Sequence, residues 1–396
     1  MAETSSIEWT DATWQIVTGC TIDTPGCTNC YAMKLAGTRL RNHPSRVGLT
    51  RETKAGPVWT GEVRFNEQWL LQPLLWARGR NIFVAAHGDL FHPGVPDEVL
   101  DRIFAVMAAS SQHTFQVLTK RSGRMRAYLS APDLVARIIT ALELLSQEIG
   151  PGRNSRDPRG GAGWNCYAAA ENLKLGNERS SWPLWPLKNV WLGVSAEDQR
   201  RADERVPDLL ATPAAVRFVS AEPLLGPIDF TRIEAAKETD AEGRTTVHPK
   251  RINSLTGRAG HYPSPTIFHV DSHGVGARLD WIIAGGESGP GARPMHPDWA
   301  RQIRDACAAA GVAYLFKQWG AYQHGSTMGR APSLDRVVFN DGRTLTDVTM
   351  PACKAEDRES GWQGRAPEMM ALVGKKAAGR LLDGVEHNGF PEVRHG

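Results

Sequence analysis

Short apolar runs of strand type alternate with amphipathic helical segments along most of the 396-residue chain, and this alternation limits the fold more than any other feature. The clearest predicted strands occupy residues 80–89, 113–121, 189–198, 215–223, 279–288 and 312–320. The clearest predicted helices occupy residues 95–110, 131–149, 199–212 and 296–311. Because strands that alternate with helices usually pair in parallel, the pattern predicts an α/β protein built on a parallel sheet.

Two weaker strand candidates, Trp14–Gly19 and Val63–Phe65, raise the number of strands to about eight, and a helix is predicted over Glu67–Ala77. A (β/α) barrel, either TIM-like or partly closed, fits the chain once its loop insertions are set aside. A doubly wound open sheet remains the alternative, since periodicity does not separate the two architectures.

The chain is expected to form a single barrel-like domain over residues 1–320. Stretches with little apolar periodicity predict loop insertions at about 150–188 and 231–278. Residues 321–396 are expected to be an irregular C-terminal extension, with one short helix within 368–384.

Composition places the chain among ordinary globular proteins, with 41% hydrophobic and 22% charged residues. A net charge of +3 is too small to imply a nucleic-acid partner by itself. The first residues lack the pattern of a secretory signal, and no apolar run approaches the roughly 18 residues that span a bilayer. We therefore expect a cytoplasmic protein without a membrane association, whose thiols are reduced and available for metal binding or catalysis.

Polar residues follow the predicted strands at the points where the strands end. In a parallel sheet these ends share one edge, where α/β enzymes bind their ligands. The candidate catalytic residues are Asp89, Lys120, Glu197, Glu222, Glu287 and Lys317. Helix N-capping is the alternative explanation for any single acidic or serine position. The basic stretch 119–126 fits phosphate or carboxylate recognition, or equally a solvated helix face.

Three of the six cysteines, Cys20, Cys27 and Cys30, lie in one polar loop after the first predicted strand. A structural zinc site would need a fourth, distant ligand, and a catalytic zinc site would use the three thiolates with water. A [4Fe–4S] cluster held by three thiolates would leave one iron open for a small-molecule ligand. Cysteines that merely pack are the remaining alternative.

Several long blocks of the sequence resemble one known family. They are "IEWTDATWQIVTGCTIDTPGCTNCYAMKL", "IFVAAHGDLFHPGVPDEVLDRIFAVMA", "HTFQVLTKR", "VWLGVSAEDQRRADERVPDLLATPAAVRFVSAEPLLGPID", "WIIAGGESGPGARPMHPDW" and "FKQWG". They are similar to the phage Gp37/Gp68 family, three-Cys-motif proteins of undefined function. That family in turn resembles radical-SAM enzymes such as spore photoproduct lyase, whose common motif is C-x3-C-x2-C. Here the first gap is six residues, and Asn29 stands where that motif has an aromatic residue.

The resemblance implies a radical-SAM-type barrel in which Cys20, Cys27 and Cys30 hold a [4Fe–4S] cluster and S-adenosylmethionine binds the open iron. The candidate cofactor contacts are these cysteines with Tyr31, Ser195 and Ser220. The expected function is reductive cleavage of S-adenosylmethionine, with a nucleobase or nucleotide as the first substrate hypothesis. The resemblance also allows a three-Cys-motif partner protein. The alternative function is a zinc-stabilised protein that binds nucleic acid or a partner without catalysis.

Overall fold

A computed structural model describes most of the chain and divides it into two compact units. The described residues are 4–150, 161–176, 185–235, 250–264, 267–270, 275–324, 336–346 and 368–392. The first unit comprises Met1–Asp23, Cys30–Val194 and Ala211–Arg217, and the second comprises Thr24–Asn29, Ser195–Leu210 and Phe218–Gly396. Among the described residues, no helix is both long and apolar enough to pass through a membrane.

The strands fall into one parallel sheet and several smaller antiparallel sheets. The parallel sheet contains β1 (Ala12–Trp14), β6 (Asn81–Val84), β7 (Thr114–Thr119), β8 (Val190–Ser195), β9 (Val216–Ala221), β14 (Trp281–Gly285) and β15 (Ala313–Gln318). The other strands are β2 (Val17–Thr18), β3 (Thr50–Thr53), β4 (Gly56–Trp59), β5 (Arg64–Phe65), β10 (Ile233–Glu234), β11 (Arg251–Asn253), β12 (Arg258–Ser264), β13 (Ile267–Val270), β16 (Tyr322–His324), β17 (Arg336–Val338), β18 (Thr344–Thr346) and β19 (Glu368–Leu372).

Eight helices are described in the structure. They are α1 (Tyr31–Gly37), α2 (Asp97–Ala109), α3 (Ser122–Leu129), α4 (Leu134–Ile149), α5 (Ala162–Leu175), α6 (Gln199–Ala211), α7 (Pro297–Ala310) and α8 (Lys375–Ala378). In α7 the ring of His296 accepts the Asp298 N–H at the start, and Gly311 adopts a left-handed conformation at the end.

The first unit holds β1, β6, β7 and most of β8, which lie side by side in that order and pair in parallel. Every residue of β8 is buried, as expected for a parallel strand covered on both faces. Apolar residues of α2 and α4 supply much of the surrounding core, with Phe104, Ile138 and Leu142 almost fully inaccessible. The strands that carry these carboxyl ends are therefore packed in a buried apolar core.

The second unit holds most of β9 together with β14 and β15, which are also parallel and adjacent in that order. Residues that follow α8 run along the outer side of β15: the Phe316 N–H donates to the His387 carbonyl and the Gly389 N–H to the Tyr314 carbonyl. The ring of Phe390 packs on Trp281 at a centroid distance of 4.7 Å. This C-terminal strap, residues 387–390, occupies hydrogen-bonding groups that β15 would otherwise expose.

The prediction of an α/β protein with a parallel sheet is confirmed, and all six clear strands and all four clear helices are present. Among the described residues, seven strands belong to the parallel sheet. Closure into a TIM-like or radical-SAM-type barrel stays a prediction, as does the single domain over residues 1–320.

The two weak strand candidates were partly wrong. Trp14–Gly19 is broken, because the Asn66 side chain donates to the Gln15 carbonyl and its backbone N–H to the Ile16 carbonyl. These bonds turn the second part, β2, toward an antiparallel pairing with β5. The Val63–Phe65 candidate is thus β5, outside the parallel sheet.

The helix expected over Glu67–Ala77 is also absent. Two short 3-10 turns, Glu67–Trp69 and Gln72–Leu75, take its place. Pro73 lacks a backbone N–H, which disfavours a continuous α-helix through this segment.

The stretches expected to be irregular contain more regular structure than their composition indicated. Helix α5 lies within 150–188, and the antiparallel sheet β10–β13 lies within 231–278. In the C-terminal part, β16–β19 form another antiparallel sheet. The helix expected within 368–384 is instead β19 followed by the four-residue α8, because Gly374 at φ +85° separates them. The remaining parts of these stretches lie outside the described residues.

Candidate functional site

The three cysteines of the loop occupy distinct local positions. Cys20 follows β2, Cys27 ends a 3-10 turn that begins at Pro25, and Cys30 immediately precedes α1. Cys27 is buried, whereas Cys20 and Cys30 are half-buried, and none of the three forms a disulfide. Within the first unit, Cys20 and Cys30 both pack against the apolar cluster Ala32, Met33, Ala36, Leu49 and Trp59.

No three His, Cys, Asp or Glu side chains in the described part of the chain are grouped so that they could hold a metal ion. Cys166 and Cys307 are fully buried in α5 and α7, and burial raises the pKa of each thiol to about 12. A thiol with so high a pKa is a poor metal ligand, so these two cysteines belong to the core. Cys353 lies outside the described residues.

In the first unit, the candidate Asp89 is a fully engaged carboxylate. It accepts hydrogen bonds from the Thr119 hydroxyl at 2.7 Å, the Lys120 N–H at 3.1 Å and the Phe91 N–H at 3.0 Å. Arg121 adds an ion pair at 2.8 Å. Asp89 therefore ties the end of β6 to the end of β7, and the structure places Lys120, also a candidate, at the same point.

Arg121 extends this network into the cysteine loop. Its second terminal nitrogen donates to the Thr21 hydroxyl at 2.6 Å and to the Thr21 carbonyl at 3.3 Å. Burial alone would lower the pKa of Arg121, but the charges of Asp89 and then Cys20 outweigh it and raise that pKa. Arg121 is thus close to Cys20 as well as to Asp89.

Tyr31, a candidate cofactor contact, is half exposed, and its hydroxyl donates to the Ala86 carbonyl at 2.5 Å. Its ring meets the ring of His87 edge-on at 5.8 Å. His87 in turn accepts a hydrogen bond at Nδ1 from Arg46, at 2.8 Å. Tyr31 is thereby fixed against the residues that follow β6.

In the second unit, Glu197 is completely buried and forms an ion pair with Arg205 at 3.1 Å. Its other oxygen accepts the Gly26 N–H of the cysteine loop at 3.3 Å. Arg205 also donates to the carbonyl of the candidate Ser195 at 2.8 Å. Glu197 is thus a support for the loop around Cys27 rather than a solvent-facing acid.

Glu287 supports the same loop from another side of that unit. The Arg293 guanidinium binds its two oxygens at 2.6 and 2.9 Å, and the Asn29 side chain donates to it at 2.9 Å. Arg293 also reaches the Pro25 carbonyl at 3.0 Å, and Asn29 donates to the Gly291 carbonyl at 2.8 Å. Residues 24–29 are therefore held by two buried glutamates and their arginines.

The candidates Glu222 and Lys317 lie together at the ends of β9 and β15. The Lys317 ammonium is 3.2 Å from one Glu222 oxygen, and the hydroxyl of the candidate Ser220 donates to the other at 3.2 Å. A Cβ added to Gly285 would lie 2.7 Å from the Glu222 carboxylate, so only glycine leaves room for this pair. The site thus combines an acid and a base at a parallel sheet edge.

Sequence reasoning missed Arg46, Arg205 and Arg293. Arg205 and Arg293 follow their glutamates by eight and six residues, so each was close enough in sequence to be proposed as a partner. No signal in the sequence links Arg46 to His87, which lie 41 residues apart.

The fold and these strand ends define an α/β protein with a parallel sheet and charged groups at its carboxyl edge. The chain belongs to the family described as "Protein of unknown function (DUF5131)", whose model matches residues 4–391. Searches of curated proteins and of solved structures found no match. The finer naming as a phage Gp37/Gp68 protein stays a prediction.

Proposed function

We propose that this protein is an iron–sulfur enzyme of radical-SAM type, in which Cys20, Cys27 and Cys30 hold a [4Fe–4S] cluster. The observation that carries the proposal is the construction of the loop. Its three thiols form no disulfide. The loop itself is held by hydrogen bonds to its backbone or side chains at Thr21, Pro25, Gly26 and Asn29. A polar loop so extensively supported is more than a packing element.

The donor set fits such a cluster chemically. Thiolates are the ordinary ligands of iron–sulfur clusters, and three of them leave one iron open for another ligand. When bound, the cluster and S-adenosylmethionine would supply the reductive cleavage that generates a radical. The positive charge of Arg121 beside Cys20 would stabilise the thiolate form that ligation requires.

The chain's own residues have separate roles in this proposal. Glu197 and Glu287 hold the loop around Cys27, Asp89 and Arg121 hold it near Cys20, and Tyr31, Ser195 and Ser220 remain candidate cofactor contacts. The pair Glu222 and Lys317 can hold or move a proton over a 3.2 Å separation. Lys120 stays a candidate pocket residue without an assigned role.

A nucleobase or nucleotide remains the proposed substrate class, but the basic stretch 119–126 supports it less than expected. Arg121 is committed to Asp89 and Thr21. Arg124 is committed to Asp97 and to the carbonyls of His92 and Val95. These two guanidiniums therefore stabilise the fold and are not presented to a polyanion. A partner protein likewise stays a proposal.

The test is anaerobic purification of the full chain, reconstitution with iron and sulfide, and measurement of iron, zinc and visible absorption. We expect about four irons per chain, as in a [4Fe–4S] cluster. Cys20→Ala, Cys27→Ala and Cys30→Ala should each lose most of the iron, whereas the core variant Cys307→Ala should retain it. The reduced, loaded protein should release 5′-deoxyadenosine from S-adenosylmethionine.

Stoichiometric zinc without iron would overturn the proposal and favour the zinc-stabilised binding protein. That alternative requires a fourth protein ligand in addition to the three cysteines. Iron without 5′-deoxyadenosine would leave a cluster with a structural or electron-transfer role and would reject the radical mechanism.

A further inference from the structure

Arg46 is a buried cation without a carboxylate partner in the described part of the chain. It is 4% exposed. Its guanidinium donates to the Ser45 hydroxyl at 2.6 Å, the Ser45 carbonyl at 3.2 Å and His87 Nδ1 at 2.8 Å. Burial and the charge of Arg64 lower the pKa of Arg46 to about 10, so the group is still charged at neutral pH. A buried charge without a counter-ion is costly, which makes this position unusual.

The neighbouring arginine, Arg64, does not neutralise the charge of Arg46 but adds a second positive charge. Arg64 donates to the Pro44 and Val47 carbonyls and forms no ion pair with a described residue. The acid that comes next along the chain from His87, Asp89, is already paired with Arg121. The region around Arg46 therefore carries positive charge that no side chain described in this unit neutralises.

The hydrogen bond from Arg46 fixes the protonation state of His87. A guanidinium can only donate, so Nδ1 of His87 must be the acceptor and Nε2 must carry the proton. Burial, and then the charge of Arg46, lower the pKa of His87 to about 4, so the ring is neutral. No described residue accepts a hydrogen bond from Nε2. His87 consequently has one N–H to donate, at Nε2, while the positively charged Arg46 is bound to its other ring nitrogen.

The backbone around His87 is also held in place. Its N–H donates to the Gln15 side chain at 2.9 Å, and its carbonyl accepts the Gly19 N–H at 3.2 Å. Ala85, two residues earlier, adopts φ +53°, a left-handed conformation that is uncommon for alanine and often marks a functional position. His87 thus lies just beyond the carboxyl end of β6, the edge where parallel sheets bind ligands.

We propose that His87 and Arg46 form a binding site for an oxyanion, supplied by a phosphate or a carboxylate. An oxygen of the anion accepts the Nε2–H of His87. The positive charge of Arg46, which lies against the other ring nitrogen, balances the negative charge of the anion. The half-exposed ring of Tyr31 packs edge-on against the ring of His87. This site needs no metal, so it stands or falls independently of the iron–sulfur proposal.

The experiment titrates the full chain, as purified, with inorganic phosphate and separately with acetate, against sodium chloride at matched ionic strength. Binding is followed by calorimetry and by the rise in melting temperature that a ligand of the folded state produces. We expect saturable binding of at least one anion, and the anion that binds identifies the source. His87→Asn keeps an oxygen that can accept from Arg46 but removes the Nε2–H, and should weaken binding by about tenfold or more.

Arg46→Gln should weaken binding to a similar degree, whereas Arg41→Gln, at an exposed position nearby in sequence, should bind as the parent does. If Arg46→Gln does not fold, Arg46→Lys keeps the charge and should retain measurable affinity. Nitrogen-15 NMR of the His87 ring provides a second measurement, in which Nε2 must be the protonated nitrogen. Phosphate and acetate effects no larger than that of chloride, unchanged affinity in His87→Asn, or a proton on Nδ1 would each overturn the proposal.

Discussion

At the scale of single residues, His87 departs clearly from the ordinary solution behaviour of a histidine. Its pKa falls from 6.5 to about 4 because the ring is buried and lies against Arg46. Between these two values the unfolded chain binds a proton that the folded chain does not. The free energy of unfolding is therefore expected to fall as the pH is lowered from about 6.5 to about 4.

Replacing His87 by Asn should make this loss of stability shallower over the same pH range, since Asn does not titrate there. Urea unfolding of both proteins at a series of pH values measures the difference. Burial also lowers the pKa of His92 and His113, so part of the pH dependence should persist in the variant. Identical slopes for the two proteins would show that His87 is protonated equally in both states.

At the scale of elements, the loop segment 24–29 depends on the close approach of Gly26 to Glu197. A Cβ at Gly26 would lie 3.0 Å from the Glu197 carboxylate, which is fully buried and paired with Arg205. Because that side chain cannot move aside, Gly26→Ala should loosen the loop and speed alkylation of the buried Cys27 severalfold.

The matched control for this prediction is Gly226→Ala, whose added Cβ would make only an ordinary contact with Asp198 at 3.4 Å. The alkylation rate of Cys27, followed by mass spectrometry of its peptide, compares the two variants with the parent. Equal rates in all three proteins would mean that Glu197 does not constrain this turn.

Elements were also where sequence reasoning succeeded or failed for clear physical reasons. Strands such as β8 and β14 are buried throughout, so their continuous apolar runs are visible in the sequence. Helix α5 begins in a Gly-rich stretch and is only weakly amphipathic. Its sequence therefore showed no clear helical periodicity, and the helix was not predicted. The antiparallel pairings of β16–β19 depend on partners far apart in the chain, and composition does not encode them.

At the scale of the whole molecule, the rule for parallel strand ends indicates which residues share a sheet edge but not how they pair. The rule that parallel strands end at one edge correctly brought Glu222 and Lys317 together. The same rule could not show that Asp89, Glu197 and Glu287 are already bound to arginines, because those partners come from loops and helices. Which acids are structural and which are available for chemistry is decided by tertiary contacts alone.

The C-terminal strap makes a further prediction at this scale. Deleting residues 384–396 removes the hydrogen bonds at Phe316 and Gly389 and the contact of Phe390 with Trp281. The uncovered side of β15 should then favour strand-to-strand association, lowering the melting temperature and producing aggregates. Thermal unfolding and light scattering test this, with the exposed substitution Glu392→Ala as the control. A monodisperse deletion variant with the parental melting temperature would contradict it.

The strap also sets an order of events for the newly made chain. A ribosome releases the residues of β15 well before those that run beside it, so one side of that strand has no partner while the intervening segment is still being translated. The second unit can therefore complete its core only when synthesis has reached residues 387–390. Until then, chaperones that shield bare strand edges would have a defined target on the nascent chain.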